Sequence, residues 1–280
     1  MRIVFIGRDN VFNRRIIKEL STQHEIAGSF FVEPQRGTTL GKLKKIQCRA
    51  KKYGTFKLID EVLFHCFDRM ILRNKEFEFY KARPEYSTEI AMTYSPEYIA
   101  ENIHEEKQLE IIRQIKPDII FSVCCSVIFK KQLYQIPSLG TYVLHEGVTP
   151  EYRGLHNNLW AIMKKEYQFI GYTVLKAGNE IDGGEILVQG KYNLGENENF
   201  RTWGWVGHNA IIEGMENIKM ALKQLEQNSF FIPVENKNRE SNYYTWMGIS
   251  DFTILYLKNY TAKYSKMLYN SLAMFRQRLF

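Results

Sequence analysis

The chain has 280 residues, which at a typical ~150 per domain means two domains or one large α/β domain with an appendage. A content of 45% apolar and 14% aromatic residues with 25% charged ones can bury a core, which excludes a wholly disordered chain. No stretch approaches the ~18 uninterrupted apolar residues of a membrane span, and a net charge of +7 is compatible with nucleic acid, an anionic membrane or a phosphorylated small molecule without choosing among them.

The first seven residues form a short apolar run that ends on Gly7, and Val11, Phe12, Arg15, Ile16 and Leu20 follow at helical spacing. Because Met1-Arg2-Ile3 leads straight into this strand, without the charged and apolar regions of a signal peptide, a cytoplasmic protein is expected. A second apolar run, Ile26 to Val32, predicts the next strand of a parallel, doubly wound sheet. The turn Gly7-Arg8-Asp9-Asn10 has a single glycine and no GxGxxG pattern, which disfavours a nicotinamide cofactor.

From Pro34 to about Arg83 basic residues (Lys42, Lys44, Lys45, Arg49, Lys51, Lys52) interleave with Leu43, Ile46 and Tyr53, and Leu58 to Leu72 continues apolar. This predicts inserted amphipathic helices with a solvated basic face, with contact to an anion or membrane surface as the alternative. Ile99 to Ile115 predicts a helix, stopped by Lys116-Pro117-Asp118 before the buried strand Ile119 to Cys124. Gly140 to His145 predicts another buried strand that ends on a histidine, where an open α/β sheet places its ligands. A helix over Gly154 to Lys165, strands over Ile170 to Lys176 and Glu185 to Tyr192, and one long helix over Trp203 to Gln227 complete the predicted core. The remainder, about 228 to 280, predicts a polar loop and an aromatic-rich helical tail.

Cys48, Cys66, Cys124 and Cys125 lack CxxC spacing, which suits neither a disulfide framework nor a zinc site, and no metal is expected. Chemistry concentrates between Gly140 and Gly184. A histidine at a strand end and a carboxylate in a glycine turn, His145 and Asp182, are the minimum set for moving a proton in acyl transfer.

The ordered blocks His145, Pro150-Glu151-Tyr152-Arg153-Gly154, Gly171-Tyr172-Thr173-Val174 and Ile181-Asp182-Gly183-Gly184 resemble the folate-dependent formyltransferases, which include the glycinamide ribonucleotide, methionyl-tRNA and nucleotide-sugar enzymes. The resemblance is strong over about Asp118 to Tyr192 and weak in the basic insertion and the tail. It implies a Rossmann-like α/β fold with a mostly parallel sheet, a catalytic domain over 1–192 carrying the helical insertion at about 34–83, and a helical extension over 193–280. It further implies formyl transfer from 10-formyltetrahydrofolate to a primary amine, with His145 as acid/base and oxyanion donor and Asp182 orienting it. By the same resemblance Cys125, Ser126, Val127 and Ile128 and the loop Gly178, Asn179, Glu180 and Ile181 flank the pterin through backbone groups. Arg8, Tyr152 and Arg153 are implied at the acceptor, although Arg153 equally suits bracing of its loop.

Two positions depart from the family pattern. Val143 stands where the family has an asparagine that donates to the developing oxyanion, and Glu146 follows the histidine where the family has proline or a small residue. Loss of an oxyanion donor typically costs about a hundred- to a thousand-fold in rate. Three outcomes stay open: another donor such as Asn157 or Asn158 substitutes, the chemistry is slower or different, or the chain binds folate or nucleotide without catalysis. A nucleotide-linked amino sugar is the first acceptor expected. Transfer RNA is disfavoured, because the tRNA-directed members carry a C-terminal β-barrel where this chain predicts helices. A homodimer is among the assemblies left open.

Overall fold

The computed structural model describes residues 1–33, 39–72, 95–123, 125, 127–236, 238–260 and 273. Seven strands form one sheet in the order β3-β2-β1-β4-β5-β7-β8, where β1 is Arg2–Gly7, β2 Glu25–Val32, β3 Glu97–Ala100, β4 Ile119–Val123, β5 Gly140–Glu146, β7 Gly171–Lys176 and β8 Ile186–Lys191. The first five in that order are parallel, β7 runs antiparallel to β5, and β8 runs antiparallel to β7. The chain is therefore the α/β, mostly parallel sheet that its apolar runs predict. The chain winds outward from β1 through β2 to β3 and then crosses back to β4, so a crevice opens beyond the carboxyl ends of the strands at this reversal.

Helix α1 (Val11–Ser21) follows β1 and buries Phe12, Ile16, Ile17 and Leu20 against one face of the sheet. Asn10 caps it by accepting from the Asn13 amide at 2.8 Å. The fully buried Asn13 side chain donates to the carbonyls of Arg8 and Val123, tying the β1–α1 turn to the end of β4.

The basic insertion forms α2 (Thr39–Tyr53) and α3 (Thr55–Phe67), extended by a π-turn at Asp68–Leu72. Its remaining residues lie outside the described set. The predicted helix over Ile99 to Ile115 is instead the edge strand β3 followed by α4 (Glu106–Ile115). Pairing with Ser29–Val32 of β2 overrides helical periodicity there, and Ile99, 73% exposed, contributes nothing to a core.

After β4 comes the short α5 (Lys131–Tyr134). The predicted helix from Gly154 starts late, as α6 (Asn157–Lys164). Arg153–Gly154 is instead a two-residue strand, β6, paired in parallel with β9 (Tyr243–Tyr244) from the C-terminal segment. The predicted helix over Trp203 to Gln227 is broken at Gly214 into α7 (Trp203–Glu213) and α8 (Met215–Asn228). The buried Tyr172 ring explains the break, since a Cβ at Gly214 would lie 2.0 Å from it, and the Tyr172 hydroxyl donates to the Gly214 carbonyl.

A last helix, α9 (Ile249–Tyr260), packs on α3 and α6 through Phe252, Phe64 and Met247. Its start is fixed electrostatically: the buried Asp60 carboxylate of α3 accepts from both the backbone amide and the hydroxyl of Ser250, each at 2.8 Å, and Lys57 pairs with the buried Asp251. Among the described residues no helix is long and apolar enough to cross a membrane. Asp60→Ala strands the Ser250 donors and is expected to lower the unfolding free energy by ~1–3 kcal/mol, read as a lower urea midpoint, while Asp60→Asn keeps part of the loss back.

Candidate active site

Beyond the ends of β4 and β5 lies a cavity of about 760 Å³, within the ordinary size range of small-molecule sites. His145 enters it from the end of β5 and is 8% exposed. Its Nε2 stands 3.0 Å from the Tyr152 carbonyl, an acceptor, and 2.8 Å from the Asn157 amide nitrogen, a donor, so the ring tautomer decides which of the two it engages. Its Nδ1 faces the Asp182 carboxylate at 3.7 Å, an ion-pair distance longer than a direct hydrogen bond.

Asp182 reaches this position from a tight turn, with φ of +50°. Its second oxygen accepts from the Gly154 amide at 3.2 Å. Gly154 itself has φ of +96°, and a Cβ there would lie 2.2 Å from the Tyr244 carbonyl, so only glycine lets β6 approach β9 while presenting its amide to Asp182.

Asn157, at the start of α6 and 4% exposed, directs its amide nitrogen at the carbonyls of Glu146 and Gly154, both at 3.1 Å, and lies 2.8 Å from His145 Nε2. Two N–H bonds are thus committed among three neighbours, and turning the amide over would set its oxygen against two carbonyls. Asn157 accordingly braces His145 and is not placed as a spare oxyanion donor. The adjacent Asn158 is 2% exposed, lines the cavity and has no hydrogen-bond partner for either amide atom among the described residues.

The sequence-predicted residues divide clearly. His145, Asp182, Cys125, Val127, Ile128, Gly178, Asn179, Glu180 and Ile181 all line this one cavity, together with Val143. Ser126, like Cys124, lies outside the described residues. The three expected acceptor contacts do not line it. Tyr152 is 1% exposed, donates its hydroxyl to Glu166 at 2.5 Å and stacks on Tyr244 at 4.7 Å, so its side chain is part of the core and only its carbonyl serves His145. Burial, with Glu166 beside it, pushes its pKa up. Arg153 donates twice to the Ile181 carbonyl and once to Ser241 and pairs with Glu180, which makes it a brace for the 178–182 loop. Arg8 sits at the exposed β1–α1 turn, outside the cavity lining.

Sequence reasoning missed His156, Trp203, Tyr134 and Tyr243 as cavity residues. Tyr134 donates to Asn179 at 2.9 Å, and Trp203 donates to Asp68 of the insertion at 3.2 Å. Only Trp203 carried a signal, as an aromatic at the start of a predicted helix; nothing in the tail's composition marked Tyr243. His208 of α7 is stacked on Phe12 at 3.9 Å and stands 3.8 Å from Glu146, and burial lowers its pKa to about 4.

A histidine at the carboxyl end of a parallel strand thus faces a carboxylate from a glycine turn within one cleft of a doubly wound sheet. The formyl transferase family model matches residues 1–204, and the chain belongs to that family. A methionyl-tRNA formyltransferase from Kosmotoga olearia is 29% identical over 115 residues, covering 41% of this chain and 37% of its own length. The chain spans about two-fifths of the length of such relatives, 41% for a Prochlorococcus marinus methionyl-tRNA formyltransferase. Among solved structures, a sugar N-formyltransferase from Shewanella sp. FDAARGOS_354 superposes with a TM-score of 0.53 at 16% identity, over 99% of this chain and 87% of that one. Phosphoribosylglycinamide formyltransferase from Anaplasma phagocytophilum gives 0.52 at 13% identity, over 87% and 97%. These two likenesses describe the fold.

Two measurements check the electrostatics. Burial raises the pKa of the Cys125 thiol, so at pH 8 iodoacetamide is expected to modify Cys125 more slowly than the exposed Cys48 and Cys66, as read by peptide mass spectrometry. An unfolded histidine titrates near ~6.5 and His208 near about 4, so between these values the unfolded chain binds more protons. Stability is therefore expected to fall as pH drops through that window, and His208→Phe to flatten this part of the profile in urea titrations.

Proposed function

We propose that this chain transfers a formyl group from 10-formyltetrahydrofolate to a primary amine of a small acceptor, with a nucleotide-linked amino sugar as the acceptor class. The observation that carries the reading is His145 held between the Tyr152 carbonyl and Asp182 at the mouth of a cavity whose other wall is the 178–181 loop. The cavity suits a reduced folate: its lining is largely apolar, with Val127, Ile128 and Gly178 among the lining residues. The donor supplies an activated formyl carbon; this chain supplies position, charge and proton transfer.

The balance is simple. A bond forms between the acceptor nitrogen and the formyl carbon, the bond from that carbon to N10 of the folate breaks, one proton leaves the acceptor nitrogen and one reaches N10. His145 carries the proton and presents a donor to the oxygen that gains charge, with the Asp182 carboxylate facing its Nδ1. Val143 lines the cavity, paired across the sheet with Ser122 and Leu175, and offers no donor. The rate is accordingly slowed, not abolished.

Among the described residues, the part beyond α8 contains the two-residue strand β9 and helix α9. The second reading is a folate- or nucleotide-binding protein without turnover, favoured by Val143 alone.

Calorimetry with 5-formyltetrahydrofolate is expected to show binding that His145→Ala leaves largely intact; absence of heat at high-micromolar ligand removes folate. With 10-formyltetrahydrofolate and a panel of amino-sugar nucleotides, wild type is expected to turn over slowly and His145→Ala not at all. Val143→Asn is expected to raise kcat by up to about a hundredfold with folate affinity unchanged. If neither wild type nor Val143→Asn formylates any amine, the second reading replaces the first.

A further inference from the structure

The basic insertion has no part in the chemistry described above, yet it holds most of the chain's net charge. The segment Thr39–Leu72 carries eight Lys and Arg residues against three acidic ones, a surplus of five in a chain of net charge +7. All three acids are buried and committed inward: Asp60 to Ser250, Glu61 to Arg49, and Asp68 to Trp203 at the cavity wall. From Ile46 to Leu72 the outer surface therefore presents no carboxylate. Helix α3 is also apolar on that surface. Asp60, Phe64 and Asp68, four apart, mark the side packed inward, whereas Phe56, Ile59, Val62 and Leu63 recur three or four apart on the outward side and are each 50–57% exposed. A surface helix of a globular protein ordinarily turns polar and charged groups to that side. Lys51 and Lys52 stand exposed at the end of α2, just before this apolar stripe, and the exposed Arg69, two turns beyond Val62, stands at its far end.

We infer that the outward face of α3 docks on an anionic lipid surface, its apolar side chains entering the headgroup region while the flanking lysines and arginine meet lipid phosphates. The helix lies on such a surface, since no described helix is long and apolar enough to span one. Charge separates this occupant from the alternatives. A two-fold contact between copies of the chain would set the same basic flanks against each other, with no carboxylate on the face to offset them. The stretch 261–280, with Lys263, Lys266, Arg276 and Arg278 and no acidic residue, would be repelled by the face in the same way. An anionic bilayer supplies both an apolar interior for the stripe and negative charge for its flanks. Docking brings the cavity wall with it, because the Trp203 indole donates to Asp68 at 3.2 Å. The inference is independent of the formyl-transfer reading and stands or falls without it.

The test is flotation of the full chain with vesicles of phosphatidylcholine alone or of equal parts phosphatidylcholine and phosphatidylserine. Cys66, exposed and three residues beyond Leu63, reports contact at the same face through its rate of alkylation by iodoacetamide. Wild type is expected to float with the anionic vesicles and not the neutral ones, to be released in part as salt rises, and to show slower Cys66 alkylation when anionic vesicles are added. Phe56→Ser with Leu63→Ser, and separately Lys51→Glu with Arg69→Glu, are each expected to weaken partitioning by about tenfold or more. Circular dichroism and the urea midpoint are expected to stay unchanged, because all four side chains are exposed. No flotation, equal flotation with both vesicles, or flotation that survives either pair of substitutions overturns the inference. So do two results without lipid: slow Cys66 alkylation at every protein concentration assigns the face to another part of this chain, and slowing that grows with protein concentration assigns it to a second copy.

Discussion

One side-chain amide organises the cleft. Asn157 ties the end of β5 to the start of α6 by donating to the carbonyls of Glu146 and Gly154 while standing against His145 Nε2. Because the amide is buried and faces backbone carbonyls, its orientation is fixed, and the imidazole beside it has one place to lie. The Tyr152 carbonyl stands against the same ring nitrogen, and the Gly154 amide holds the carboxylate that faces the other nitrogen. The arrangement is a chain of backbone contacts closed by one asparagine. Its geometry depends little on the identity of most side chains around it.

The C-terminal segment supports the same loops from outside. Arg239 pairs with Glu151 through both carboxylate oxygens, donates to the Thr149 carbonyl and reaches Gln189, which pins the 147–152 loop to β8. Ser241 receives Arg153, and Tyr243 and Tyr244 pair with β6, so the loop carrying Asp182 and the loop carrying Tyr152 share one scaffold. The insertion is drawn in through Asp60, Lys57 and Asp68, whose partners are Ser250, Asp251 and Trp203. Buried carboxylates, expensive in isolation, are here satisfied by amide, hydroxyl, ammonium and indole donors. A segment remote in sequence thereby shapes the wall of a cavity built by the core sheet.

Valine at position 143 and glutamate at position 146 change the electrostatics of one strand end in opposite ways. The first removes a donor from the cleft, and the second adds an acceptor beside it. The two departures lie on one strand, on either side of the histidine.

The order of apolar runs in the chain was enough to determine β1, β2, β4, β5 and their parallel winding, because strands buried on both faces need continuous apolar stretches whatever their partners. His145 and Asp182 were legible as a pair for a related reason: the end of a buried strand and a glycine turn are written locally. The edge strand β3, the break at Gly214 and the pairing of Arg153–Gly154 with Tyr243–Tyr244 were not legible, since each is decided by a distant partner: β2, the Tyr172 ring and the C-terminal segment. The side-chain roles of Tyr152 and Arg153 were invisible for the same cause, and the sequence could place them near the site without showing which way they turn. Local pattern determined which segments are buried and where the titratable groups fall. Only the tertiary structure decided which neighbours satisfy each polar atom, because hydrogen-bond partners are set by distances that sequence separation does not encode.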